Sequence, residues 1–592
     1  MTPRQLKKRA LMVGAVLGGV IFAAAFAAYF AFGGSSYEDS TSPRTLSPPE
    51  AKVTEGTLRG KWANIPDYSV QYAAFRGIPY AQPPVGMLRF KAPLPPAMWS
   101  GVRDATKEGS ACMQVSDFAE IIGSEDCLYL NVYSRGRPNG VLLPVYVFIH
   151  GDVNRSGSGT DFGPELFMRR PIVVVTINYR LNAFGFLNLD NDVVPGNAGI
   201  KDQIAALRWI HANIDKFGGD PSAITIGGQS TGAASAHWLT LLPESRGLVK
   251  RAILESGSAL HSWAYHEDNI AVALQLGSNL SKHKDVSLEE VARLVMERPA
   301  AEILSATDSI ELNGIQLPFS ASPERRAPQE GGQVPLITQD PEKYILTDRS
   351  PVPILLGMNS REWLFNFQYL GYARSPQLIR NKINNLVSIF PKSVMPGSDT
   401  AAYLNLTSTH SLEHALDLVH QHFFKDNGAD PNKTSSVFQS FLDDVYVGTD
   451  VNRLAELRVR VGQGRTQTYV YRFGVCAKYN TSPFQNPGQV AEGASNGDEL
   501  QYLWYRGNQK FEGDGLASTT LNYMVETWSF YVGSGIPQPF TKWVPNEFRS
   551  KPGDVIYMNI GENVDVKEDP IAGQNAPFWL DLCQQYRDNS ST

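Results

Sequence analysis

The sequence predicts an α/β protein built on one large, mostly parallel sheet with helices on both faces. Three observations lead there. Short, continuous apolar runs recur along the chain, a composition that suits strands buried on both faces. Segments of helical period lie between them, and strand–helix alternation is what a parallel sheet requires of its crossovers. Beyond residue 50 no Pro/Gly/Ser-rich linker and no internal repeat interrupts the chain, so 592 residues read as one large domain over 51–587 with a polar tail over 588–592.

The runs in order are Pro144–Ile149, Ile172–Ile177, Ala223–Ile226, Arg251–Leu254, Pro353–Leu356 and Thr468–Phe473. Between the second and third lies "IKDQIAALRWIHANIDKF", Ile200–Phe217, whose apolar residues recur near every 3.6 positions.

The N-terminus has its own logic. Arg4, Lys7, Lys8 and Arg9 precede Ala10–Phe32, which carries no charge. A helix rising 1.5 Å per residue over 10–32 can cross a hydrocarbon layer of about 30 Å. Positive charge before it and Glu38 and Asp39 after it place residues 1–9 in the cytoplasm and the rest outside. A cleaved signal peptide has a shorter apolar core, about 7–15 residues, so a single-pass, type II signal anchor is favoured over cleavage. Residues 33–50 read as a flexible stalk. Either way the large domain is extracellular or luminal.

A net charge of −6 spread along the chain, with no basic block after residue 9, gives nucleic-acid binding no support. Six Asn-x-Ser/Thr sequons occur, at Asn154, Asn279, Asn405, Asn432, Asn480 and Asn589; Asn279, Asn405, Asn432 and Asn480 are the glycosylation candidates. The cysteines Cys112, Cys127, Cys476 and Cys583 suit an oxidising compartment. Cys112 and Cys127 would close a short loop, leaving Cys476 and Cys583 to pair or stay free. No spacing suggests a metal or a cofactor.

The chemistry centres on "AITIGGQSTGAAS", Ala223–Ser235. Gly228-Gln229-Ser230-Thr231-Gly232 is a G-x-S-x-G motif between a strand and a helix. A serine at so sharp a turn needs small neighbours; its hydroxyl is then exposed above the sheet, with a helix N-terminus to favour an oxyanion. Alone the motif is common and a structural glycine turn would be the plainer reading. The strand-to-helix setting makes Ser230 a candidate nucleophile.

Here the chain resembles the type-B carboxylesterase/cholinesterase family of α/β-hydrolases. The resemblance runs from about Val53 to the C-terminus. "FRGIPYAQPPVGMLRF" (Phe75–Phe90), "SEDCLYLNVY" (Ser124–Tyr133), "NAGIKDQIAALRWIHANIDKFGGDP" (Asn197–Pro221) and the Ser230 segment carry it in the family's order. It implies an α/β-hydrolase fold, a Cys112–Cys127 disulfide, an ion pair between Arg89 and Glu125, no cofactor, and a triad in the order Ser, Glu/Asp, His. "LLGMNSREW" matches the family's GxNxxEG segment and places Glu362 as the acid. A homodimer through C-terminal helices is open to it, as in many relatives.

The histidine is absent. The family's G-x-x-H-G-D-E segment reads "EGASNGDELQYLWY", Glu492–Tyr505, with Asn496 in the base position; the last histidine of the chain is His422. An amide does not accept a serine proton near neutral pH, and loss of the base in a serine hydrolase costs on the order of 10⁶ in turnover. The family's HGGGF oxyanion segment reads His150-Gly151-Asp152-Val153-Asn154, with Asp152 and Val153 where glycines stand. Asp152, Val153 and Thr231 are therefore the oxyanion-hole candidates. Gln229 replaces the acidic residue that often precedes the nucleophile. His150, His211 and His237 read as structural histidines, and His414, His420 and His422 share no helical face.

Three departures on the chemistry amid intact scaffold motifs point first to a non-catalytic ectodomain acting in recognition or adhesion with an extracellular protein partner. The neurotactin, gliotactin, glutactin and neuroligin group is of that kind. The alternative is an active or weakly active carboxylic ester hydrolase using Ser230, and a third reading is a pocket that binds small esters or lipids without turnover. The Cys112–Cys127 loop contains no tryptophan, which argues against choline specificity.

Overall fold

The computed structural model describes residues 47–582 except 67, 69, 117, 138–139, 268, 311–317, 327–332, 349–350, 365–411, 426–430, 463–465, 478, 481–492, 508, 510–514, 539–542, 572, 576 and 580. The expected cytoplasmic segment and membrane span, most of the stalk, the sequons at Asn405 and Asn589, Cys583 and the polar tail lie outside the described residues, as does the side chain of Asn432. Among the described residues no helix is long and apolar enough to cross a membrane.

An eleven-stranded sheet organises the chain. In chain order its strands are β1 (Lys61–Asn64), β2 (Gln71–Pro79), β3 (Tyr129–Ser134), β4 (Leu143–Ile149), β5 (Val173–Ile177), β6 (Gly219–Gln229), β7 (Arg251–Glu255), β8 (Ile354–Asn359), β9 (Thr468–Phe473), β10 (Val555–Ile560) and β11 (Val564–Asp569). Across the sheet they run β11-β10-β9-β8-β7-β6-β4-β5-β3-β2-β1. From β10 to β5 all neighbours are parallel. The edges are antiparallel: β11 on one side, β3, β2 and β1 on the other. The six apolar runs fall on β4 to β9, and every residue of β5 and β8 is buried.

Alternate strand residues point to opposite faces, and the two faces build separate cores. On one, Val145, Val147, Ile149, Val175, Ile226 and Leu254 pack with the helices α1 (Ala198–Asn213) and α2 (Thr231–Leu241). Ile200, Ile204, Leu207 and Ile210 form the buried stripe of α1, at the spacing of one helical face. On the other face, Tyr146, Phe148, Ile253, Leu355 and Tyr471 pack against Leu521, Met524, Val525 and Trp528 of α3 (Leu516–Ser534). The sheet is thus covered on both sides, with the C-terminal ends of β6 and β8 carrying Ser230 and, three residues after β8, Glu362.

Candidate active site

β6 ends at Gln229 and α2 begins at Thr231, so Ser230 is the entire turn. Its backbone lies at φ 56°, ψ −122°, a region that costs a side-chain-bearing residue on the order of 1–3 kcal/mol. The glycines around it are sterically required. A Cβ on Gly228 would lie 2.4 Å from the Gly232 backbone, one on Gly232 2.2 Å from Ile149 O, and one on Gly151 2.1 Å from Gln229 O. The Ser230 N–H donates to Glu255 O at 2.9 Å, and the Ala234 N–H donates to Ser230 O at 3.0 Å. These bonds fix the serine at the N-terminus of α2, where backbone dipoles favour negative charge.

The oxyanion segment follows β4. Asp152, Val153 and Asn154 stand at φ 68°, 53° and 56°, three successive left-handed residues where glycine would be unstrained. Their hydrogen bonds hold them there. The Asn154 N–H donates to Thr231 Oγ1 at 3.1 Å, the Arg155 N–H to Asp152 O at 2.9 Å, and the Asn182 N–H to Asn154 O at 2.8 Å. Thr231 is thereby joined to the segment, and the Asn154 N–H is committed to it. The Asp152 carboxylate accepts from the Ser156 hydroxyl within its own loop, so this negative group is engaged there. Gln114, in the loop closed by the Cys112–Cys127 disulfide, exchanges two hydrogen bonds with the Gly157 backbone at 2.8 and 3.0 Å. The ion pair between Arg89 and Glu125 forms at the foot of that loop, with contacts of 2.5 and 2.7 Å.

Glu362 is buried at 2% exposure. The Asn359 N–H donates to its Oε1 at 2.6 Å. The Asn496 side-chain amide donates to its Oε2 at 2.8 Å, and the Asn496 backbone N–H to its carbonyl at 3.2 Å. Burial pushes the Glu362 carboxyl up to about 7 against the pull of these donors. On its other side, Asn496 Oδ1 accepts from Gln229 Nε2 at 2.6 Å. Asn496 therefore bridges the acid position and the residue preceding Ser230, with its amide hydrogen and its oxygen both in use.

Among the described residues no histidine hydrogen-bonds to Ser230. His150 is buried against Tyr179, ring centroids 4.6 Å apart, and burial lowers it to about 4. His237 accepts from the Ala259 N–H through Nδ1, His261 pairs with Ser258 Oγ at 2.9 Å, and burial lowers both to about 3. His422 stacks on Phe578, away from any role at Ser230.

One glycan candidate, Asn480, is opposed by its surroundings. The Asn480 amide donates to Val475 O and Asp498 Oδ2, and its oxygen accepts from Tyr502 and the Ala477 N–H. Asn279 is half-buried and donates to Ala306 O at 2.9 Å. In the folded chain both amide hydrogens of Asn480 are thus engaged, whereas Asn279 keeps one of its own. Cys476 is half-buried, and among the described residues it forms no disulfide; its expected partner Cys583 lies outside them. No cluster able to hold a metal occurs among the described residues.

The profile of the "Carboxylesterase family" matches residues 47–579. The chain belongs to the carboxylesterase family. It is 39% identical over 478 residues to the juvenile hormone esterase of Heliothis virescens, covering 77% of this chain and 79% of that one. It is 32% identical over 508 residues to Esterase FE4 of Myzus persicae, covering 84% and 86%. Among solved structures, juvenile hormone esterase from Manduca sexta, "with OTFP covalently attached", superposes with a TM-score of 0.77 at 26% identity, over 92% of this chain and 100% of that one.

As a carboxylesterase-family member the chain has the α/β-hydrolase fold that its motifs imply. The kinship expected with the neurotactin group receives no support from these relatives, whose names are those of esterases. Two residues of this carboxylesterase site escaped the sequence: Asn359, which holds Glu362, and Trp363, which follows the acid. Trp363 stacks on Tyr446 at 3.6 Å between ring centroids, and its backbone N–H donates to Asp443 Oδ1 at 2.8 Å. Trp363 stands where the GxNxxEG segment has its final glycine, and that departure was the available signal.

Proposed function

We propose that this carboxylesterase-family protein binds small carboxylic or lipid esters at Ser230 and hydrolyses them slowly. One observation carries the reading: the Asn496 amide occupies the place of a base between Glu362 and Gln229. Ser230 Oγ then has no imidazole to take its proton during attack, and no imidazolium to protonate the leaving alcohol. The proton must pass to solvent water, a route that favours esters with good leaving groups. The elbow and the α2 N-terminus still stabilise a tetrahedral intermediate, and binding with oxyanion stabilisation alone gives about 10³–10⁴ over water. Adhesion has no observation in the described surface to favour it. We further propose that residues 10–32 anchor the domain in a membrane as a type II protein, on the strength of their uncharged sequence.

The test is fluorophosphonate labelling and ester turnover by wild type, Ser230→Ala and Asn496→His. Slow wild-type turnover lost in Ser230→Ala and raised in Asn496→His is the expected result. Turnover at the rate of ordinary esterases in the wild type, or turnover that survives Ser230→Ala, overturns the reading.

A further inference from the structure

Behind the Gln229–Asn496–Glu362 chain, on the face of the sheet covered by α3, a row of residues runs across the strands in register. Gln229 pairs with Glu255, Glu255 with Gly357, and Gly357 with Tyr471. A Cβ on Gly357 would lie 2.1 Å from the Tyr471 ring, so Tyr471 leans across the glycine toward Glu255. From the opposite side, a Cβ on Gly227 would lie 2.4 Å from Tyr146 Oη. Two glycines thus let two tyrosines converge on one buried carboxyl.

Trp528 of α3 closes the space, donating from Nε1 to Glu255 Oε1 at 2.6 Å, its ring 5.0 Å from that of Tyr471. Asn359, whose backbone N–H holds the Glu362 carboxyl, donates from its side-chain amide to Glu499 Oε2. Four oxygens remain: Glu255 Oε2, Glu499 Oε1, Tyr146 Oη and Tyr471 Oη. Each belongs to a residue with 0% exposure, and none has a hydrogen-bond partner among the described residues. Glu255 and Glu499 interact electrostatically with each other and with Tyr471, and Glu255 with Tyr146, so all four belong to one neighbourhood. Unpaired polar atoms at such depth are costly, and polar groups too far apart to bond directly are commonly joined by water.

We propose that Glu255, Glu499, Tyr146 and Tyr471 form an internal water-binding chamber beneath the elbow, its water bridging the two carboxyls and the two phenols. An internal water makes about three hydrogen bonds to otherwise unsatisfied groups, and the four oxygens provide them. The chamber ties the Glu362 loop, through Asn359 and Glu499, to Glu255 on β7 and Trp528 on α3. Burial pushes Glu255 up to about 8 and Glu499 well above the usual carboxylate range, so both keep a proton at neutral pH and act as hydroxyl donors to neutral water rather than as a charged pair. The chamber is independent of whether Ser230 turns over esters.

A crystal structure of the protein at high resolution tests it, together with a thermal double-mutant cycle of Tyr471→Phe and Glu255→Gln. The expected result is ordered water within about 3.2 Å of at least three of the four oxygens. Each single substitution should lower Tm, and the double variant should lose less than their sum, although the two side chains share no direct bond. Direct tyrosine–carboxyl hydrogen bonds, a dry chamber, or a Tyr471→Phe variant that is as stable as wild type or more so overturns the proposal. So does a Tm that rises in potassium or rubidium over choline at equal ionic strength, with anomalous rubidium density, which would assign the chamber to a cation.

Discussion

The side-chain amide of Asn496 donates a 2.8 Å hydrogen bond to Glu362 Oε2 while its oxygen accepts a 2.6 Å bond from Gln229. A group that could carry a proton from Ser230 is replaced by one that only holds its neighbours in place. On the proposed reading the local framework is kept, and the acid–base step is what it lacks.

Restoring an imidazole at that position should restore the step. Asn496→His is expected to raise ester turnover by about 10²-fold or more, the ordinary worth of a positioned general base. Steady-state hydrolysis of an activated ester measures it, with Ser230→Ala/Asn496→His as the control that must remain inactive.

The pH dependence of wild-type hydrolysis should lack a histidine's signature. Its rate is expected to climb with hydroxide concentration and to show no plateau near about 6.5, the ordinary imidazole pKa. Asn496→His should introduce one. An inflection near there in the wild type that survives Glu362→Gln would mean that an imidazole not placed at Ser230 by this structure serves as base.

Glu362 links stability to pH with a definite sign. Its folded-state value is raised by burial from 4.5 to about 7, so between these values the unfolded chain releases the proton first. Its contribution to stability is therefore complete below about 4.5 and is lost as pH rises through 7, by at most about 3 kcal/mol. Tm measured across that window should fall less steeply in Glu362→Gln than in wild type.

Gly151→Ala should break the elbow without replacing any side chain of the site. The new Cβ would meet Gln229 O at 2.1 Å and the Ser230 Cβ at 3.3 Å, and the backbone carbonyl has no cheap relief. A loss of about 2–4 kcal/mol is expected, read as a lower Tm, together with lost fluorophosphonate labelling.

Val153→Gly should act in the opposite direction. Val153 is 38% exposed and held at φ 53°, where an L-residue pays about 1–2 kcal/mol. Even after the extra chain entropy of glycine, the variant is expected to unfold at a higher temperature than wild type.

Strands β4 to β9 were legible because burial on both faces writes them as unbroken apolar runs. The edge strands β1 and β11 have a neighbour on one side only and leave a weaker pattern; β11 is mostly exposed. The Ser230 turn was legible through its glycines, since steric need dictates their spacing, and the absent base through a missing residue type. The contact between Gln229 and Asn496, 267 positions apart, could not be read from either residue alone. The Asn480 sequon misled for the reverse reason: three residues define an acceptor, but only the fold shows that Val475, Asp498 and Tyr502 already occupy its amide.

The bridge made by Asn496 also bears on how readily this lineage could change its chemistry. Every asparagine codon becomes a histidine codon by one substitution at its first base, and Glu362 already waits on the side where an imidazole would need its partner. If Asn496→His raises turnover as expected, gain or loss of the base here is a matter of a lone nucleotide.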